Sequence, residues 1–444
     1  MKMYRVSSVA LVSLALGMAA ACAAALDAGQ NPLHRPKSEA RLKESHHSSA
    51  HHAAKPAAPH SSASRHSASH AAASSRTSKT RASSARTATT SKASANVRRA
   101  SSSRRHRYVE RFTASSFVKG EIGAGDNTAG EDPVVRQAAI DALGDMNGTA
   151  VVIDPSNGRI LAMVNQKLAL SPGAEPCSTI KLTVAMAALS EGIVTRDTPV
   201  QLAGFHMNMT QALAKSNNLY FEELGRELGF ERVHYYANQF GLGELAGYNL
   251  PGEQLGVYPD QPLPESEGGV GRMCSFGQGV SLTPLQLGAF VAAIANGGTL
   301  YYLQHPTTLE EVASFEPKIK RKLDIARFVP DLEDGMAGAV EYGTARRLRY
   351  NFNELPVFGK TGTCSDNGTR FGWFAAYSES PQGSLVTVFF LEGGRPTFGP
   401  RAAELTGEFY KNLWNSNYFG IGDQSTARVF PNQPKTDATP AEEQ

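Results

Sequence analysis

Residues 149–166 read TAVVIDPSNGRILAMVNQ. An apolar run, TAVVIDP (149–155), faces a second, GRILAMVNQ (158–166), across Asn157-Gly158. That dipeptide accepts the positive φ angles of a two-residue hairpin turn, so the stretch reads as two antiparallel strands. Three further strand-like runs come much later: PVFGKTGT (356–363), FGWFAAYS (371–378) and SLVTVFFLEG (384–393). Between the two groups the pattern is helical. Behind Cys177, apolar residues at 180, 184, 187 and 188 mark a helix stopped by Gly192. MTQALAKSNNLYFEELGRELG (209–229) is helical on both sides of a polar break. Thr283-Pro284 gives an N-cap and N1 proline to TPLQLGAFVAAIANGG, which ends at Asn296-Gly297. Two early strands, helices between and three late strands predict an α/β (α+β) domain. Its antiparallel five-stranded sheet is built from both ends of the segment and flanked by helices.

Charge divides the 444 residues in two. Residues 27–111 hold 17 Lys/Arg against four acids, Asp27, Glu39, Glu44 and Glu110. From 112 onward there are 25 basic and 37 acidic residues. A basic tail thus precedes an acidic body. Residues 29–107 are low in complexity, with nine of the 12 histidines scattered through them. Such a segment buries too little apolar surface to offset its ordering entropy, which predicts a disordered linker over 27–118. It reads first as a solvated spacer. A sharper reading makes residues 29–111 a polycation for an anionic envelope polymer or lipid headgroups. No nucleic-acid partner is expected. Globular patterning begins near 120, giving a domain at 119–420, and the polar tail 421–444 reads as disordered.

The chain opens with Lys2 and Arg5 before an uncharged run from Val6 to Leu26. Residues 1–26 fit a cleaved signal peptide, an uncleaved anchor, or a lipoprotein leader on the weak lipobox Ala19–Cys22. All three carry the body out of the cytoplasm, to the periplasm or the outer face of the cell membrane. Four cysteines are too few for a disulfide framework. If Cys22 is removed or lipidated, an odd number remains, Cys177, Cys274 and Cys364.

The chemistry centres on residues 175–188, EPCSTIKLTVAMAA. At a helix start, Ser178 and Lys181 share a face. A serine hydroxyl needs a base to take its proton, and a lysine serves when burial and a nearby cation lower its pKa. Lys360 would be that cation. Oxyanion donors are expected from the backbone N–H groups of Ser178 and Thr363. Ser216 could relay a proton to the leaving amine, and Asn218 could bind the acyl substrate's amide. Lys360, Thr361 and Thr363 suit a substrate carboxylate, with Gly362 leaving the substrate space against the strand. Singly these motifs are weak. Ser116-Phe-Val-Lys119 also spells Ser-x-x-Lys, but its lysine runs into GEIGAG rather than a helix. Ser-x-Asn recurs at Ser94 and Ser365, and chain order favours Ser216. Alone, Ser178 is as good a helix cap as a nucleophile.

Together and in this order, Ser178-x-x-Lys181, Ser216-x-Asn218 and Lys360-Thr361-Gly362 resemble the set of penicillin-binding proteins and serine β-lactamases. The flanking stretches AVVIDPSNGRILAMV, SFGQGVSLTPLQLGAFVAAIANGGTL, AVEYGTARRL and FGKTGT with GWFAAY are similar to the transpeptidase branch. The resemblance covers about 120–420. It implies a β-lactamase/transpeptidase-like fold and a D,D-transpeptidase that cross-links peptidoglycan. Ser178 would attack the D-Ala–D-Ala bond of a stem peptide, release D-Ala and pass the acyl chain to an acceptor amine. β-Lactams would acylate the same serine. No metal or cofactor is implied. Neither a glycosyltransferase domain nor a folded N-terminal module is apparent, which leaves a separate glycosyltransferase partner an open possibility.

Two departures stand out. The 38-residue gap from Ser178 to Ser216 is shorter than the resemblance leads one to expect, implying a trimmed cleft wall. Cys177 stands where a glycine is common. Cys177 and Cys364 lie one residue outside the two proposed oxyanion donors, which brings a disulfide into question. The reading leans to two small buried residues instead, because sequence leaves side-chain direction open. Within the same chemistry the alternatives are a D,D-carboxypeptidase or endopeptidase and a β-lactamase. The last is weakened by the lack of an evident deacylating carboxylate. A non-catalytic β-lactam sensor or envelope scaffold is the alternative of another class.

Overall fold

The hairpin forms, but its turn is longer than two residues. In the computed structural model, which describes residues 112–420, β1 (Gly148–Asp154) pairs antiparallel with β2 (Arg159–Val164), and Asp154 faces Arg159. Pro155 to Gly158 therefore form a four-residue loop. The cause is the Asp154 carboxylate. It accepts from the Ser156 N–H at 2.9 Å, the Ser156 hydroxyl at 2.6 Å and the Asn157 amide at 2.8 Å. These bonds wind the chain once more before Gly158 turns it back.

The late runs form β3 (Val357–Asp366), β4 (Thr369–Ser380) and β5 (Gly383–Gly393). The antiparallel sheet has the order β2–β1–β5–β4–β3, so the early hairpin docks on the last strand and β3 is left at the edge. Both faces are covered, which explains why SLVTVFFLEG is almost continuously apolar. On one face Ala150, Val152, Phe374, Phe389 and Leu391 pack with α1 (Pro133–Leu143) and the C-terminal helix (Gly399–Asn415). On the other, Val151, Ile153, Trp373, Val388 and Phe390 meet the central helices. The one-residue alternation along each strand assigns its side chains to the two layers.

The ordered domain starts earlier than position 119. Ser116 is buried and Phe117 bridges Met146, while the Thr113 N–H donates to the Arg395 carbonyl at 2.9 Å. Residues 112–118 therefore belong to the fold, because Phe112, Phe117 and Val118 pack on its core. The rest of the expected linker, the expected leader and the expected tail after 420 lie outside the described residues. Among the described residues no helix is long and apolar enough to cross a membrane.

Candidate active site

The nucleophile candidate sits where a short 3-10 turn, Cys177–Ile180, runs into helix α2 (Lys181–Ser190). Nearly all of α2 is buried, Lys181 included. The polar break at 216–218 is a junction of two caps. Helix α3 (Met209–Lys215) ends at Ser216 with φ 54°, and Asn217 caps α4 (Asn218–Leu228) by accepting from the Tyr220 N–H at 2.9 Å. The junction turns Ser216 and Asn218 toward Lys181. The Lys181 Nζ lies 2.8 Å from Ser178 Oγ, 3.2 Å from Ser216 Oγ, 3.1 Å from the Ser216 carbonyl and 2.6 Å from Asn218 Oδ1. From the edge strand β3, Lys360 Nζ donates to Ser216 Oγ at 2.8 Å and to the Thr361 carbonyl at 3.0 Å. The result is one continuous polar chain, Ser178–Lys181–Ser216–Lys360, set in an apolar interior.

Burial sets its charge. Lys181 is held well below the ordinary lysine range by desolvation and then by the Lys360 cation, with Glu222 opposing. Lys360 is lowered to about 7 by desolvation. Four oxygens surround the Lys181 amine, more than its protons can serve. Were Lys181 neutral, its two protons would go to Asn218 Oδ1 and the Ser216 carbonyl, and its lone pair would be left for the Ser178 proton. Lys360 donates to the Ser216 hydroxyl oxygen, which leaves that hydroxyl's own proton unspent. A serine whose proton is accepted by a desolvated amine is the arrangement nucleophilic catalysis requires.

The other expected residues differ in detail. Lys360 is fully buried, with its amine directed at the Ser216 hydroxyl. The Thr363 hydroxyl accepts from the Gly399 N–H at 2.9 Å. Gly362 also has a packing reason. A Cβ there would lie 2.8 Å from the Pro176 carbonyl and 3.1 Å from Thr179 Cγ2, so its absence lets β3 press against the Ser178 turn. Asn218 spends its carbonyl oxygen on Lys181, and its amide nitrogen has no protein partner among the described residues.

Cys177 and Cys364 are joined in a disulfide, with Cα atoms 5.5 Å apart, so the leaning toward two unpaired buried residues is corrected. The bond is feasible because Cys177 adopts φ 52°, a left-handed turn that aims its side chain across to β3. That positive φ also explains why glycine suits the position. Trp373 supports the same turn by donating its indole N–H to the Glu175 carbonyl at 3.0 Å. Among the described residues Cys274 is the free cysteine, and it is buried. The decoy Ser116 stands apart from the site, donating to the Gly394 carbonyl at 3.1 Å and accepting from the Thr397 hydroxyl at 3.0 Å. Sequence reasoning missed Thr344, whose hydroxyl lies 2.6 Å from that of Thr361. The AVEYGTARRL stretch that carries it was the available signal.

The penicillin binding protein transpeptidase domain model matches residues 148–411, the span of the sheet and every residue of the polar chain. With that match over more than half its length, the chain belongs to the penicillin-binding protein transpeptidase family. Stage V sporulation protein D of Bacillus subtilis is 32% identical over 317 residues, covering 59% of this chain and 48% of that protein. Peptidoglycan D,D-transpeptidase MrdA of Acinetobacter baumannii is 26% identical over 377 residues, covering 66% and 55%. Peptidoglycan D,D-transpeptidase FtsI of Escherichia coli K12 is 27% identical over 184 residues, covering 34% and 31%. The chain thus spans about half, or less, of the length of these relatives.

Proposed function

We propose that this protein is a peptidoglycan D,D-transpeptidase that works through an acyl-enzyme on Ser178. The supporting observation is the buried chain Ser178–Lys181–Ser216–Lys360, with Lys181 held well below the ordinary lysine range by burial and by Lys360. Lys181 takes the Ser178 proton as Oγ attacks the carbonyl of the penultimate D-Ala of a stem peptide. Ser216, backed by the Lys360 cation, hands a proton to the departing D-Ala nitrogen. The N–H groups of Ser178 and Thr363 hold the oxyanion, the Asn218 amide nitrogen meets the donor's acyl amide, and Thr361 and Thr363 serve the carboxylate side. The acceptor amine then displaces Ser178, and β-lactams enter by the same attack.

Among the described residues no carboxylate hydrogen-bonds any member of the chain, which favours slow hydrolysis over β-lactamase turnover. Relatives named peptidoglycan D,D-transpeptidase add support. We read residues 1–26 as the export or anchoring segment, and a disulfide beside the nucleophile suits an oxidising compartment. The test supplies a D-Ala–D-Ala donor with and without a primary amine. The account expects D-Ala release with amide-linked product. Release that yields free acid alone, whatever the amine, would make the protein a carboxypeptidase.

A further inference from the structure

Thr344 lies outside the three motifs, yet it is held against two of them. It follows helix Val329–Glu341, and its N–H donates to the Ala214 carbonyl at 3.2 Å, near the end of the helix that presents Ser216. Gly343 makes this approach possible, since a Cβ there would lie 2.1 Å from the same Ala214 carbonyl. On its other side the Thr344 hydroxyl lies 2.6 Å from the Thr361 hydroxyl, and Thr361 is buried in β3. Thr344 therefore spans the Ser216 junction and the Lys360-Thr361-Gly362 strand.

The hydrogen-bond count gives this contact a consequence. Two hydroxyls in contact share one proton between their oxygens and leave one proton to spend elsewhere. If Thr344 donates inward, Thr361 keeps its proton for a ligand. Neither hydroxyl has another side-chain partner among the described residues. Removing the Thr344 oxygen leaves the Thr361 hydroxyl free to rotate.

We propose that Thr344 is a positioning residue for the donor's carboxylate: its hydroxyl occupies one side of Thr361 Oγ1 and so turns the Thr361 proton toward the ligand. The proposal rests on reading β3 as the carboxylate side of the site. Thr344→Val keeps the shape and removes the oxygen, whereas Thr344→Ser keeps the oxygen. The contrast between a ligand that carries the carboxylate and one that lacks it separates positioning from a structural role.

The experiment measures second-order acylation by benzylpenicillin and by its methyl ester, in wild type, Thr344→Val and Thr344→Ser. Each acid-to-ester ratio is taken within one protein sample, so it does not depend on the folded fraction. Wild type is expected to prefer the acid. Thr344→Val is expected to lose about 10- to 100-fold of that preference, the value of a hydrogen bond to a charged group, chiefly through weaker initial binding. Thr344→Ser should restore it. A Thr344→Val ratio equal to wild type overturns the proposal and leaves the reading of β3 standing. A wild type that shows no preference for the acid overturns both.

Discussion

Replacing Lys360 by Met should make the protein more stable and less active, with a stability difference that depends on pH. Lys360 is fully buried, and its amine falls from the ordinary 10.5 to about 7 in the fold. The folded-state value lies below the unfolded one, so between these limits the unfolded chain binds more protons and stability rises with pH. At about 1.4 kcal/mol per pH unit, the cost of burying Lys360 is about 4 kcal/mol at pH 7 and about 2 kcal/mol at pH 9. It vanishes above 10.5, the unfolded value. Met fills similar volume without the charge, at the loss of the bonds to Ser216 Oγ and the Thr361 carbonyl. Guanidinium unfolding under non-reducing conditions, at pH 7, 8 and 9, measures both proteins. The advantage of Lys360→Met is expected to shrink by about 2 kcal/mol from pH 7 to pH 9. A difference that stays constant over that range would mean that Lys360 is not desolvated, and would refute the electrostatic account of the site.

The acylation rate should fall as pH drops through the depressed pKa of Lys181, because only the neutral amine accepts the Ser178 proton. Since Lys360 contributes to that depression, Lys360→Met should move this limb to higher pH; penicillin acylation rates across pH measure it, and an unmoved limb contradicts the coupling. Replacing both Cys177 and Cys364 by Ser opens a closure across 187 residues and should cost about 3–5 kcal/mol, read from unfolding midpoints. Thiol titration of unfolded protein beginning at residue 27 should count one thiol without reductant and three with it; three in both would disprove the bond. Gly362→Ala drives a methyl to 2.8 Å from the Pro176 carbonyl and should cost about 1–3 kcal/mol together with most acylation activity, seen in parallel melts and labelling rates.

The sheet was legible because its five runs keep strand composition, and because the early pair and the late trio are separated by helical periodicity. The hairpin turn was misjudged because Asp154 and Asn157 compete for the backbone with their own side chains, a preference the Asn-Gly pair conceals. The N-terminal boundary was placed too late since Phe112 and Phe117 are isolated apolar residues in a basic stretch, and only the fold brings them to its core. At the site, the residue types and their order sufficed to collect Ser178, Lys181, Ser216, Asn218 and Lys360. Side-chain direction did not follow from order. The Lys360–Ser216 contact, the tight fit at Gly362 and the Cys177–Cys364 disulfide therefore lie beyond what order alone conveys. Each depends on how closely β3 approaches the Ser178 turn, and no local pattern records that distance.

The central claim is that Ser178 is an acylated nucleophile activated by Lys181. Intact mass spectrometry after incubation with benzylpenicillin, followed by peptide mapping, tests it directly. The account predicts one added penicilloyl mass on the peptide containing Ser178, lost in Ser178→Ala and slowed by at least 100-fold in Lys181→Met, as expected when a general base is removed. An unmodified wild-type mass, or an adduct that persists in Ser178→Ala, would contradict it.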